Sequence, residues 1–194
     1  EAGGRALALK ADVSDPAAVG AMFDTAEKQF GGVDVLVNNA GTLTRSKIAD
    51  TSDSDFDSLI AINLKGTFNG MREGAKRIRS GGRIINFSTS LVGSLMPEYA
   101  IYTATKAGVE AMTSILAKEM RGRNITVNAV APGPTATDMF LAGRPAEVVE
   151  QIAKITPLER LGTPEDIANV VSFLASPDAA WINGQTLRAN GGYV

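Results

Sequence analysis

Tyr102 and Lys106 stand four residues apart in the stretch Tyr99-Ala-Ile-Tyr-Thr-Ala-Thr-Lys106, and on a helix residues at that spacing share a face. An ammonium beside a phenol favours the phenolate, so it draws the tyrosine pKa down from about 10. A tyrosine tuned in this way can act as a general acid or base. A hydroxyl such as that of Ser90, delivered from a nearby strand end, can hydrogen-bond the oxygen that Tyr102 protonates. A Tyr–Lys pair is by itself ordinary on a helix surface. What surrounds the pair decides its meaning.

Composition narrows the chemistry. The 194 residues include no Cys and no His. Disulfides, thiol nucleophiles, a Ser-His-Asp triad, an HExxH zinc site and a histidine base are therefore excluded, and no metal site is expected. Acid–base work falls to Tyr, Lys, Asp or Glu. The net charge of −2 gives no general attraction to nucleic acid or an anionic membrane. Hydrophobic content of 44% and charged content of 21% suit one globular domain spanning residues 1–194. No apolar run reaches the length of a membrane span and no signal peptide opens the sequence, so a cytoplasmic protein is the default expectation.

The elements that must position these residues follow from periodicity. Residues 5–13 alternate like a strand. Ser14-Asp15-Pro16 starts a helix through residue 30, with Val19, Met22, Phe23 and Ala26 on one face, and Gly31-Gly32 stops it. Residues 33–37 form an apolar run too short for a helix and read as a strand buried on both faces. One long helix is expected over residues 55–78, carrying Phe56, Leu59, Ile60, Leu64, Phe68 and Met71 at helical spacing. Ser80-Gly81-Gly82 then breaks the pattern before a strand at 83–87. A second long helix over 99–119 presents a small face of Ala104, Ala107, Gly108 and Ala111. Further strands are expected at 125–130 and 184–188, with helices near 146–155 and from Thr163-Pro164-Glu165-Asp166 to residue 175. Strands alternating with helices predict an α/β fold, a doubly wound parallel sheet with helices on both faces.

In such sheets ligands gather at the carboxyl ends of the strands. Three short sequences fall there: Asn38-Asn39-Ala40-Gly41, Ser88-Thr89-Ser90 and Pro132-Gly133-Pro134-Thr135-Ala136-Thr137. Together with an Asn in the long helix, YxxxK at Tyr102–Lys106, the sequence ADVSD at 11–15 and NGG at 190–192, they resemble the short-chain dehydrogenase/reductase family, whose Rossmann-like fold is the expected one. Among bacterial members the likeness is to 3-oxoacyl-carrier-protein reductases. The resemblance implies an NAD(P)-dependent oxidoreductase that interconverts a carbonyl and an alcohol, with NAD or NADP as cofactor. It implies Tyr102 as the catalytic acid/base and Lys106 as the residue that lowers its pKa and bonds the nicotinamide ribose. Ser90 would polarise the carbonyl, and Asn63 would anchor a water in the proton relay. Asp12 and Val13 would frame the adenine, Asn39, Ala40 and Gly41 the adenosine ribose and scaffold, and Pro132, Gly133, Thr135 and Thr137 the nicotinamide side. Thr89 could offer the hydroxyl in place of Ser90; the pattern Ser90-Leu-Val-Gly93 favours Ser90, although its spacing to Tyr102 is one residue short for the close reductases.

The family's glycine-rich turn after the first strand is not in this sequence. The resemblance implies that an upstream portion of roughly 50 residues, more than one βαβ unit of about 30, is missing. That portion holds the pyrophosphate seat and the choice between NAD and NADP. Without its strands, two strand edges should be exposed and the core open. The alternative function is a non-catalytic binding or structural remnant that no longer binds dinucleotide. The intact set of Asn63, Ser90, Tyr102 and Lys106 argues against it. Residues 139–158 would be the lid over a small-molecule carbonyl or alcohol substrate, with no nucleic acid or membrane partner. The helices at 55–78 and 99–119 are expected to pair in a homo-oligomer, a dimer or tetramer.

Overall fold

The protein is described here by a computed structural model covering residues 3–194. Its centre is one sheet of four parallel strands in the order β1 (Val33–Asn38), β2 (Ile78–Phe87), β3 (Thr126–Pro132) and β4 (Thr186–Ala189). Sequential parallel strands need crossovers, and helices supply them. Alternate residues face opposite sides of the sheet. Ile84 and Val127 point to the side covered by α3 (Thr67–Arg77) and α5 (Ala100–Glu119), where Met71, Val109, Leu116 and Met120 complete a core. Ile85 and Val130 point to the other side, against Ile167 and Leu174 of α8 (Pro164–Ala175). The expected doubly wound α/β architecture is observed.

Helix ends follow their capping residues. Asp15 caps α1 (Pro16–Phe30) by accepting from Ala17 N, and Gly31 stops the helix in the left-handed region at φ 83°. Val19 and Phe23 form its buried face. Thr163 and Asp166 form a reciprocal capping box at the start of α8. The helix at 146–155 is α7 (Ala146–Ile155), preceded by the short α6 (Asp138–Leu141) that Thr137 caps.

Four expectations need correction. Residues 5–13 form no strand: the segment joins no sheet, and Leu7 and Leu9 are exposed. A strand exists through its ladder of hydrogen bonds, and among the described residues no neighbour offers one. Residues 33–37 are not buried on both faces: among the described residues the outer edge of β1 has no strand partner, as expected, and its Val35 and Val37 are 39% and 40% exposed. Next, the long helix is not uniform. It runs as α2 (Asp53–Leu59), a π-helical stretch Ile60–Gly66 and α3. Leu59 and Met71 are buried on it, whereas Phe56 and Phe68 are each 44% exposed, so its apolar circumference exceeds what this chain covers. Finally, β2 begins at Ile78 rather than Arg83. Ser80-Gly81-Gly82 produces a register irregularity in the strand, with Gly81 at φ 85°, instead of a break before it.

The small residues of α5 permit the expected close approach at one point. A Cβ on Gly108 would come 2.9 Å from Leu64 Cδ1 in the π-helical stretch. That contact sets α5, and with it Tyr102 and Lys106, against the segment that carries Asn63.

Candidate active site

The carboxyl ends of β1, β2 and β3 open into one cleft of about 990 Å³. Its wall includes Asn39, Ala40 and Gly41 after β1, Ser88, Thr89 and Ser90 after β2, and Pro132, Gly133, Thr135 and Thr137 after β3, with Tyr102 and Lys106 from the first turns of α5. The far side is apolar: Met139, Phe140, Ile152 and Ile155 from the segment containing α6 and α7 face it. The three strand-end sequences and the Tyr–Lys pair therefore meet in space.

Lys106 is 4% exposed. Its ammonium donates to the Phe87 carbonyl at 2.9 Å and lies 5.9 Å from the centroid of the Tyr102 ring. Burial pushes Lys106 down to about 8. Tyr102 behaves differently from the sequence expectation. Its pKa is raised, first by burial, while the nearby Thr89 hydroxyl pulls the other way and the charge of nearby Tyr99 raises it further. Desolvation of the phenolate outweighs an ammonium that is turned towards a backbone carbonyl. The site thus holds a neutral phenol at neutral pH.

The two adjacent hydroxyls have separate partners. Ser90 Oγ donates to the Ala131 carbonyl and accepts from Asn190 Nδ2, both at 3.0 Å. Thr89 Oγ1 accepts from Leu91 N at 3.3 Å, which leaves its O–H free to donate. The connection from Ser90 to Tyr102 is tight: α4 (Leu91–Ser94) ends on Leu95 at φ 51°, and Glu98 stands at φ 71°. Two non-glycine residues in the left-handed region are unusual, and they accompany the short spacing noted in the sequence.

Asn63 lies beneath the cleft and is fully buried. Its Oδ1 accepts from Thr42 N at 2.8 Å and its Nδ2 donates to Thr42 O at 2.9 Å. The side chain thereby pins the loop after β1 to the π-helical stretch. A Cβ on Gly41 would sit 3.2 Å from Asn63 Oδ1 and 3.5 Å from Lys106 Nζ, so only glycine leaves the floor flat there. Asp12 and Val13 are outside the cleft wall. Asp12 is exposed and caps a local turn through Ser14 N and Oγ, while Val13 O accepts from Asn69 Nδ2 and Val13 Cγ2 packs over Gly66.

Sequence reading missed three residues of the site. Asn190 bonds Ser90, Val194 O and Gly192 N, tying the chain end to the cleft. Tyr193 lines the cleft, and Arg144 enters it from the turn before α7. Only the NGG sequence had drawn notice to Asn190, and nothing local marked the other two.

A family model described as Enoyl-(Acyl carrier protein) reductase matches residues 1–194. A Picea abies protein named as a short-chain type dehydrogenase/reductase is 53% identical over 99% of this chain and 72% of its own length. The chain belongs to the short-chain dehydrogenase/reductase family. NADPH-dependent aldehyde reductase 2, chloroplastic, of Arabidopsis thaliana is 49% identical over 97% of this chain and 71% of its own. A putative dehydrogenase from Burkholderia cenocepacia, solved with bound NADP, superposes with a TM-score of 0.94 at 33% identity, covering 99% of this chain and 74% of that one. The protein is accordingly an NAD(P)-dependent oxidoreductase. A nicotinamide dinucleotide presents a flat ring, and the residues present fit one. Ala40 and Gly41 give a low floor, with Lys106 Nζ beside it. No helix of the described residues is long and apolar enough to cross a membrane.

Proposed function

We propose that this protein reduces a carbonyl to an alcohol with NADPH, and that Tyr102 donates the proton. The observation that carries the reading is the meeting of Tyr102, Lys106 and the glycine-floored strand ends in one cleft. When bound, the dinucleotide supplies the hydride. Asn39, Ala40 and Gly41 would hold its central part, and Pro132, Gly133, Thr135 and Thr137 its nicotinamide side. Asp12 and Val13 would frame the adenine; Val13 O and Asn38 both lie against the Asn69-Gly70 turn, which supports their nearness to the end of β1.

The names of the relatives as reductases favour the reductive direction, in which Tyr102, protonated at neutral pH, would be the proton donor. Lys106 would contribute its positive charge beside the phenol and donors to the nicotinamide ribose. We assign the carbonyl-polarising hydroxyl to Thr89, since its O–H is free to donate while Ser90 Oγ is committed to Ala131 O and Asn190 Nδ2, and give Ser90 the task of holding the strand end to those two residues. Asn63 would keep the loop at Thr42 in place and, through its widened helical turn, accommodate a water on the path of the proton. Residues 139–158 would cover the substrate, and their apolar side chains favour one with a hydrophobic body. The names of the Arabidopsis relatives favour NADPH and an aldehyde.

Replacing Tyr102 by Phe tests this reading. Aldehyde-dependent oxidation of NADPH should fall by about 10²–10⁴-fold, the usual worth of a positioned general acid. Near-normal turnover would overturn it. We further propose a homo-oligomer formed through α2, α3 and α5, on which Phe56, Phe68 and Ile115 are exposed. A cytoplasmic location rests on composition alone, and two relatives are named as chloroplastic.

A further inference from the structure

The charges around the cleft are one-sided. Lys106 and Arg144 line it and no Asp or Glu does, although the chain carries 21 acidic residues against 19 basic ones. Lys106 is engaged with the Phe87 carbonyl. Arg144 lies between α6 and α7, partly buried, with its guanidinium 4.1 Å over the Phe140 ring. It donates one hydrogen bond, to the Tyr99 hydroxyl at 2.8 Å. Among the described residues it has no carboxylate partner.

A guanidinium presents five donors in a planar fork that matches a carboxylate in two-point contact. Here the aromatic stack and the tyrosine hydroxyl fix the plane while most donors stay free. A partly desolvated cation without a counter-charge is costly, and an apolar wall makes it more so. Tyr99 immediately precedes α5 and stands three residues before Tyr102, so its contact ties Arg144 to the end of the cleft where the proton moves. The recorded contacts of Arg144 are Phe140 of the lid segment and Tyr99 before α5, both in the cleft wall, and none is with residues 39–41.

We propose that Arg144 anchors a carboxylate borne by the substrate, so that the enzyme acts on carbonyl compounds with one anionic end and an apolar body. The inference rests on the carbonyl-reductase reading above. Met139, Phe140, Ile152 and Ile155 would pack on the body while Arg144 holds the charged end and Tyr102 meets the carbonyl.

The test pairs 4-carboxybenzaldehyde with its neutral methyl ester, using NADPH as donor, in wild type, Arg144→Gln and Arg144→Lys. A second readout is calorimetric binding of 4-(hydroxymethyl)benzoate, the alcohol product. In Arg144→Gln the rise in KM should be at least about tenfold larger for the acid than for the ester, about 1.4 kcal/mol of binding. Arg144→Lys should recover part of that difference, and calorimetric affinity for the product should weaken by a similar factor in Arg144→Gln. Equal losses on both aldehydes would make Arg144 only a latch to Tyr99 and overturn the proposal. A rise confined to the KM of NADPH would assign the arginine to a cofactor phosphate and overturn it too. If wild type reduces the ester but neither reduces the acid nor binds the product, the anchor fails and carbonyl reduction stands. If it reduces neither aldehyde yet binds the product in an Arg144-dependent way, carbonyl reduction fails and the anchor stands.

Discussion

Lys106 is nearly sealed from water, and that burial lowers its pKa to about 8. An unfolded lysine titrates near 10.4. Between about pH 8 and 10 the unfolded chain therefore binds the extra proton, so this residue's contribution to stability rises with pH across that window. Below about 8 both states are protonated and the full cost of the buried charge is felt. We expect the melting temperature of wild type relative to Lys106→Met to improve from pH 7 to pH 10; a constant difference would show that Lys106 is not titrating there. The same event has a catalytic face. Loss of the ammonium would remove the positive charge beside the phenol, so kcat/KM for carbonyl reduction should fall as pH rises through about 8, and this limb should be missing in Lys106→Met. The neighbouring hydroxyls separate by the same kind of argument. On the proposed assignment, Thr89→Val should lower kcat by at least about tenfold, beyond the modest loss of stability expected from removing the acceptor of Leu91 N. Ser90→Ala should act mainly on stability, by about 1–3 kcal/mol, because it takes a donor from the Ala131 carbonyl and leaves the Asn190 amide nitrogen with only Val194 O.

Between residue and molecule, two elements set the site. The π-helical stretch Ile60–Gly66 widens the helix where Asn63 must reach the loop at Thr42, and such turns are often found where a regular helix would misplace a functional group. The other element is the junction between the ends of β3 and β4. Gly133 N donates to Ala189 O, and a Cβ on Gly133 would come 2.6 Å from Asn190 Cβ and 2.7 Å from its Cα. Those are backbone-anchored atoms that cannot turn aside. Gly133→Ala should therefore push the chain end from the cleft, costing about 1–3 kcal/mol by overpacking. Because it also loosens the Asn190–Ser90 contact, turnover should drop more than thermal stability alone accounts for; chemical denaturation and steady-state kinetics on the same sample would show both.

For the whole molecule, the exposed faces are as informative as the covered ones. Phe56, Phe68 and Ile115 are 44%, 44% and 55% exposed on helices whose opposite sides form the core. Their burial against a second copy would yield about 25 cal/mol per Å² of apolar surface removed from water. Sedimentation should report an oligomer at micromolar concentration, and the double variant Phe68→Glu, Ile115→Glu should shift it to monomer. An unchanged sedimentation coefficient in that variant would sink the proposed interface.

What the residues determined by themselves is local or additive. Periodicities of two and 3.6, capping residues and glycine stops set most elements and the sheet class, the absence of His and Cys left acid–base work to Tyr, Lys, Asp or Glu, and the family resemblance pointed among these to Tyr102 and Lys106. Glycines at strand ends marked the floor of the cleft in advance. Tertiary structure alone decided matters that depend on partners distant in the chain. Whether residues 5–13 become a strand depends on a neighbour's hydrogen bonds, not on their own alternation. Whether Lys106 lowers Tyr102 depends on which way its ammonium turns and how much water both lose. The contact that occupies the Ser90 hydroxyl comes from Asn190, 100 residues further along. Arg144 became a site residue only because a turn of the lid laid it over Phe140 and against Tyr99, and no spacing in the sequence encodes that meeting.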